Sequence, residues 1–278
     1  MRTYLGKSWS PWLALAAILG LFPLAVMAGD RHAKAAKYGQ YNPDDENVEM
    51  FDAMGKGEIA VKVIPKDSTQ CRVMIENKTD KPLNVKLPET FGIAPILAQA
   101  AAAGGGARGG RGGGGAQAGG GGMGMGMGGM GMGGGGGGMF NVPPEAVGQL
   151  KANTVCLEHG KPEPRAAIPY EIKPLENVTD KPVVRDLCAM LGRGEVAQRA
   201  AQVAAWHLNN GMSWDQLAAK QLRFANGTSQ PYFTPQELQA GMVAATRSVQ
   251  LASERAKSTT SSASSSSTSS SSDSAAQK

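Results

Sequence analysis

The chain has 278 residues, of which 38 are glycine, and its formal charge is +5 at pH 7. Nucleic-acid binding normally uses many basic residues gathered on one face, and a charge this small for the length does not indicate such a surface. We therefore expect no nucleic acid among the partners of this protein.

The first 28 residues have the order of a secretory signal peptide. Arg2 and Lys7 precede an apolar run from Trp12 to Val26, and small residues surround Ala28. We expect cleavage after Ala28, a flexible segment over 29–45, and an exported protein in the periplasm or extracellular space. Cleavage removes two basic and no acidic residues, which lowers the formal charge to +3. No later segment is apolar over the roughly 20 residues that a spanning helix needs, so we expect no transmembrane segment in the mature chain.

Apolar alternation predicts β structure over residues 46–175. The turn-forming residues 77–82 separate two such runs and predict a hairpin between 71–75 and 83–87. Short alternating strands separated by turns are typical of an immunoglobulin-like β-sandwich, which is the predicted domain. The alternating residues are Ile59, Val61, Val63, Cys71, Val73, Ile75, Leu83, Val85, Leu87, Leu150, Ala152, Cys156, Ile168, Tyr170 and Ile172.

Two tracts have compositions that cannot fill a hydrophobic core. Glycine dominates residues 104–138, and serine and threonine dominate 258–274. Such segments lose backbone entropy on folding and have little apolar surface to bury. We expect a disordered Gly/Met-rich insertion over 101–139, inside the sandwich, and a disordered Ser/Thr-rich tail over 258–278.

Residues 176–257 change to helical spacing and predict a small helical module. Apolar residues of the first two helices precede Gly192 and Gly211, which are predicted caps, and Ser213 with Gln216 and Thr234 with Glu237 form capping boxes. The predicted apolar seam of the last helix comprises Leu238, Met242, Ala245, Val249, Leu251 and Ala252. The predicted fold class is therefore α+β, an immunoglobulin-like β-sandwich followed by a helical module.

The glycine tract also carries closely spaced thioethers. Thioether sulfur is a soft ligand that favours Cu(I), and an exported protein can meet such ions. The alternative is a low-complexity linker whose methionines make only weak apolar contacts. The methionines concerned are Met123, Met125, Met127, Met130 and Met132.

Cys156 and His159 are separated by two residues at the end of a predicted strand. This C-x-x-H spacing resembles the copper loop of cupredoxins, and the resemblance implies that both residues ligate copper. A blue-copper site also uses a second histidine and usually an axial methionine. Residues 160–166 contain no methionine, and the one upstream histidine is His32.

The three cysteines allow two interpretations. Cys71 and Cys156 fall on core-facing positions of predicted strands, where a disulfide could join two sheets in an oxidising compartment. In that case Cys188 is unpaired. The alternative is three buried thiols that behave as small apolar residues.

The segment from Ala201 to Trp206 contains Gln202 and resembles the T-Q-x-A segment of bacterial thioester-domain adhesins, with Ala201 in place of the threonine. The resemblance implies a bond between the Gln202 side chain and one of the cysteines, with loss of one ammonia. The other interpretation is an ordinary helix residue beside a packed tryptophan.

No G-x-S-x-G, H-E-x-x-H, P-loop or C-x-x-C motif is present. We therefore expect a non-enzymatic exported protein that binds an unknown protein or envelope component, without a cofactor. The alternative function is a periplasmic copper-binding protein that uses the methionines together with Cys156 and His159.

Overall fold

The computed structural model describes residues 41–96, 116–123 and 138–266, with side chains up to Thr259. The predicted signal peptide and most of the predicted flexible segment lie outside the described residues. The strands are β1 (Glu46–Glu49), β2 (Ile59–Pro65), β3 (Gln70–Asn77), β4 (Leu83–Lys86), β5 (Thr90–Pro95), β6 (Gly119–Gly122), β7 (Met139–Val142), β8 (Val147–Cys156), β9 (Tyr170–Lys173), β10 (Gln221–Arg223) and β11 (Ser229–Pro231). The helices are α1 (Met50–Lys56), a short 3-10 turn (Leu175–Asn177), α2 (Pro182–Gly192), α3 (Gln198–Asn210), α4 (Trp214–Ala219) and α5 (Pro235–Ser266).

Six strands close into a β-barrel in the order β2-β3-β8-β6-β5-β9. Every neighbouring pair in the barrel is antiparallel. The alternating apolar residues predicted to face a core do so, and Val63, Val73, Ile75 and Ile172 are all buried. The predicted sandwich is nevertheless wrong. Alternation shows that one face of each strand is buried, and a closed barrel buries one face just as two packed sheets do.

The predicted hairpin between residues 71–75 and 83–87 is also wrong, although both strands exist. β3 pairs with β2 and β8 inside the barrel, whereas β4 pairs with β1 and β7 in a separate three-stranded sheet. The turn between them leads the chain from the barrel into the separate sheet and does not fold β4 back against β3. Buried Asn77 holds this turn, since its side-chain Nδ2 donates to Lys81 O at 2.7 Å and to Val142 O at 3.0 Å.

Strand β6 lies inside the tract predicted to be disordered. Its four glycines pair with β5 on one side and β8 on the other. Glycine is required here because the backbone lies very close to its neighbours: a Cβ on Gly121 would be 2.6 Å from Phe91 Cζ and 2.7 Å from Asn153 O. Backbone pairing thus orders a sequence that has no side chains to bury. Beyond this strand and its flanks, most of the predicted insertion lies outside the described residues.

The helix ends agree with the sequence signals more closely. Helix α3 ends at Gly211, which has a left-handed φ of 69°. Ser213 and Gln216 form the predicted capping box of α4. Thr234 and Glu237 form that of α5, with Thr234 N donating to Glu237 Oε2 at 2.9 Å and Glu237 N donating to Thr234 Oγ1 at 3.2 Å. Gly192, in contrast, is the last residue of α2 and not its cap, a position that Arg193 takes.

The buried seam of α5 agrees with the predicted one at Ala245 and, with partly buried side chains, at Leu238 and Leu251, but it differs elsewhere. Gly241, Ala244, Ala245 and Ser248 face the protein, while Met242 and Val249 are exposed. The small residues let α3 approach closely, because a Cβ on Gly241 would lie 2.6 Å from Val203 Cβ. Small side chains therefore form this interface, because larger apolar side chains would keep the two helices further apart.

The helices and the barrel share a core. A second buried cluster combines Val155 and Leu157, at the end of β8, with Leu187 and Cys188 of α2 and with Ala204 of α3. The described residues belong to one compact unit. Helix α5 continues to Ser266 and so includes the start of the tract predicted as a disordered tail. No helix among the described residues combines the length and apolar character needed to cross a bilayer.

Candidate functional site

Strands β10 and β11 form a hairpin that projects from the helical region. All residues from Gln221 to Pro231 are exposed. Gly227 closes the turn with φ of 84°, a conformation that glycine adopts without strain. The side chain of Asn226 accepts hydrogen bonds from Thr228 N at 3.1 Å and from Thr228 Oγ1 at 2.7 Å. The hairpin is thus specified by local interactions, and none of its residues is fully buried.

The hairpin carries two exposed apolar side chains. Leu222 and Phe224 are 39% and 43% exposed. They are two residues apart in extended chain, so both point to the same face, while Arg223 points to the other. The pairing continues past β10, since Phe224 N donates to Thr228 O at 2.9 Å. This face therefore presents an aliphatic and an aromatic side chain side by side to solvent.

An aromatic cluster holds the base of the hairpin. Trp206 of α3 is only 4% exposed, and its ring centroid lies 5.5 Å from that of Tyr232 and 5.6 Å from that of Phe233. Tyr232 N also donates to Lys220 O at 2.8 Å, which joins the residues flanking the two strands. An isolated two-stranded hairpin is only marginally stable in water, so this cluster is what fixes the orientation of the hairpin.

Two cations lie against the same rings. The Arg199 guanidinium carbon lies 4.8 Å from the Tyr232 centroid and 4.7 Å from that of Phe233, and the guanidinium donates to Glu237 and to the Tyr232 carbonyl. The Lys220 ammonium lies 5.1 Å from the centroids of both Trp206 and Tyr232. Each contact at partly exposed sites stabilises by about 0.5–1 kcal/mol, so together they reinforce the hairpin base.

Comparison with known protein families, curated proteins and solved structures finds no match to this chain.

His159, a predicted copper ligand, belongs to the hairpin base. Its ring meets Trp206 edge-on at 4.8 Å, and its Nε2 lies 2.9 Å from Lys220 Nζ. An ammonium group only donates, so Nε2 is the acceptor and the imidazole is neutral. Burial, and then the charge of Lys220, lower the pKa of His159. Burial also lowers the pKa of Lys220. The lone pair on Nε2 is thus already used within the protein.

Cys156, the other predicted ligand in this loop, lies in a different environment. It is 1% exposed, whereas His159 is exposed. Burial raises the pKa of the Cys156 thiol, and the nearby carboxylates of Glu163, Asp67 and Glu158 raise it further. A metal ligand must be the thiolate. In the described residues, no group of three or more His, Cys, Asp and Glu side chains is arranged to hold a metal ion.

The predicted methionine site is only partly described. Met123 follows β6, is 6% exposed and packs in the barrel core. Its backbone N donates to Glu89 O at 3.2 Å. Met125, Met127, Met130 and Met132 lie outside the described residues, so copper binding by the tract stays a prediction.

The two cysteines predicted to form a disulfide have free thiols in the structure, as does Cys188. Cys71 lies opposite Ala152 in the β3–β8 register. Cys156 is four residues further along β8, which corresponds to about 13 Å of strand. Disulfides join Cα atoms usually about 4.4–6.8 Å apart, so this register separates the two cysteines too far.

Gln202 contacts one of the cysteines, but through the backbone. Its Oε1 accepts from Cys156 N at 2.8 Å, and its Nε2 donates to Cys156 O at 2.9 Å. The paired residues of β3 and β8 end at Gln70 and Asn153, so this part of β8 has no strand partner on that side. The buried amide of Gln202 replaces the missing strand and attaches α3 to the barrel.

Sequence reasoning did not identify Lys220, Leu222, Phe224 or Tyr232. One signal was available, because Asn226-Gly227 is a strong hairpin turn signal and lies between residues of apolar and polar alternation. The cations and aromatic rings at the base come from separate segments. Only the tertiary structure brings these segments together.

Proposed function

We propose that this is an exported, non-enzymatic protein that binds another protein of the cell envelope through hairpin β10–β11. The observation that carries the proposal is the pair Leu222 and Phe224, which lie exposed on one face of a hairpin with a fixed base. The signal-peptide pattern at the N-terminus supports export.

The arrangement has the properties of a protein-contact element. Aromatic side chains are enriched where protein interfaces concentrate their binding free energy, and a fixed base lowers the entropy lost on binding. Folding leaves about two-fifths of Leu222 and of Phe224 exposed to solvent. Burial of both side chains against a partner would favour binding, because their exposed apolar surface would be removed from water.

Site-specific photo-crosslinking in an exporting cell tests the proposal. A photoreactive benzoylphenylalanine at position 224 should give a discrete crosslinked species, and the same group at exposed Asp215 should not. Export is checked independently by the mass of the recovered protein, which should correspond to cleavage after Ala28.

A matched pair of variants then tests which face is used. Leu222→Ser with Phe224→Ser should weaken binding of the crosslinked partner at least about tenfold, since hot-spot residues each contribute about 2 kcal/mol or more. Gln221→Ser with Arg223→Ser changes the same strand on its opposite face and should have a much smaller effect. Equal losses in both variants, or equal crosslinking from positions 215 and 224, would contradict the proposal.

Helix α5 presents further apolar surface. Met242, Val243 and Val249 are 39%, 66% and 49% exposed. We propose that the same partner extends onto this helix, and crosslinking from position 243 provides the direct test.

A further inference from the structure

The barrel has one weak seam, between β2 and β9. These strands share a single residue pair, Val63 with Tyr170, whereas β2 and β3 pair along all seven residues of β2. No other residues of β2 and β9 are paired with each other. This is therefore the shortest strand pairing in the closed barrel.

A cleft of about 400 Å³ lies over this seam. Its volume falls within the range of about 300–1,000 Å³ typical of small-molecule sites. The walls are mainly aliphatic and come from α1, β2, the end of β5 and the loop before β9. They include Met54, Val61, Ile64, Ile96 and Ile168.

The cleft joins solvent to the barrel core. Val63 and Ile172, which also line it, are 3% and 5% exposed and belong to the core cluster. Ile96 at the outer edge is 45% exposed. Apolar side chains therefore line the cleft both at its exposed edge and at the core.

One cationic and one anionic side chain line the cleft, Lys62 and Glu171. Lys62 is exposed and has no ion pair among the described residues. Glu171 also lines the cleft, and its buried Oε1 lies in an ion pair with Lys173 Nζ at 2.7 Å but accepts no hydrogen bond. The lining therefore combines an apolar interior with one unpaired ammonium group.

We propose that this cleft binds a medium-chain fatty acid, with the alkyl chain over the seam and the carboxylate at Lys62. Apolar walls favour the chain through burial of its methylenes. The ammonium group favours an anionic head over a neutral or cationic one. The site is separate from hairpin β10–β11 and does not depend on its function.

Titration of the full-length protein with decanoate, followed by calorimetry below the micellar concentration, tests the proposal. We expect one binding site and an affinity that rises about fourfold per added methylene from octanoate to decanoate. Decanol and decyltrimethylammonium, which have the same chain, should bind more weakly. Equal binding of the three decyl compounds, or no binding of decanoate, would overturn the proposal.

Two matched pairs of variants locate the site. Lys62→Gln should weaken decanoate about two- to fivefold, as expected for an exposed ion pair, whereas Lys86→Gln in the separate sheet should not. Ala166 is exposed and lines the cleft, and its exposed neighbour Ala167 does not. Ala166→Trp should therefore fill the cleft and abolish binding, while Ala167→Trp should retain it. Circular dichroism verifies that each variant is folded, and binding that survives Ala166→Trp excludes this cleft.

Discussion

Replacement of Gly122 by alanine should destabilise the protein, although Gly122 lies in a tract with the composition of a flexible linker. In the structure, a Cβ on this residue would overlap the carbonyl oxygen of Cys188 and would lie 2.6 Å from Gly192 Cα and 2.7 Å from Gly192 N. All three atoms are backbone atoms of α2, which cannot rotate away as a side chain can. The helix would have to shift away from the barrel.

The expected magnitude follows from two opposing effects. Overpacking of a well-packed core typically costs about 1–3 kcal/mol. We expect a cost near the upper end of this range, because the added Cβ would meet backbone atoms. Alanine also restricts the unfolded chain, which offsets the loss by about 0.4–1 kcal/mol. The net loss in the free energy of unfolding should therefore be about 2 kcal/mol. For a chain of this size it corresponds to a fall in Tm of roughly 4–8 °C.

Urea denaturation followed by circular dichroism measures this difference. Gly120→Ala should cost less, because its Cβ would meet mainly side-chain atoms at 3.0–3.1 Å. Gly55→Ala is the control, since an added Cβ would have no atom from outside its own stretch of helix within 4 Å, and α1 should gain about 0.5–1 kcal/mol. A Gly122→Ala protein as stable as the original would refute the assignment of β6 to this position in the barrel.

Three further outcomes follow from the described contacts. Gln202→Leu should lower the free energy of unfolding by about 2–4 kcal/mol, because two buried backbone groups of Cys156 lose their partners. The intact mass of the unsubstituted protein should include the Gln202 amide, and a mass lower by one ammonia would contradict the observed hydrogen bonds. Thr234→Ala should cost about 1 kcal/mol in urea denaturation, since it removes the cap of α5, and no loss would contradict the capping box. Burial raises the pKa of Cys71 and Cys188 from 9.0 to about 12. Folding therefore favours the protonated thiols, and stability should fall as pH rises from about 9 towards 12; a thiol reagent that modifies the native protein at pH 8 would contradict this burial.

The sequence predicted individual elements better than their arrangement. The alternating residues of β2, β3, β8 and β9 were identified correctly, because alternation depends only on one face of a strand being buried. The caps at Gly211, Ser213 and Thr234 were also correct, since capping involves residues a few positions apart. Strand partners were not correctly predicted, because pairing joins residues far apart in sequence, such as Val73 with Leu150.

The candidate surface shows the same division. The Asn226-Gly227 turn could have been recognised from the sequence, and with it the exposure of Phe224. The contact of Lys220 with His159 could not, since 61 residues separate them. The C-x-x-H spacing at Cys156 and His159 suggested two copper ligands, because spacing alone does not show the surroundings of a side chain. In the structure the Cys156 side chain is buried, and the His159 ring lies beside the Lys220 ammonium.

The sequence by itself determined local features: the signal-peptide pattern, the apolar alternation of β2, β3, β4, β8 and β9, and the caps at Gly211, Ser213 and Thr234. Each depends on interactions between residues close together in the chain. The tertiary structure decided that the sheet closes into a barrel and that four glycines supply one of its strands. Closure depends on backbone hydrogen bonds between distant segments, and the absence of side chains on β6 matters because β5, β8 and α2 all lie close to its backbone.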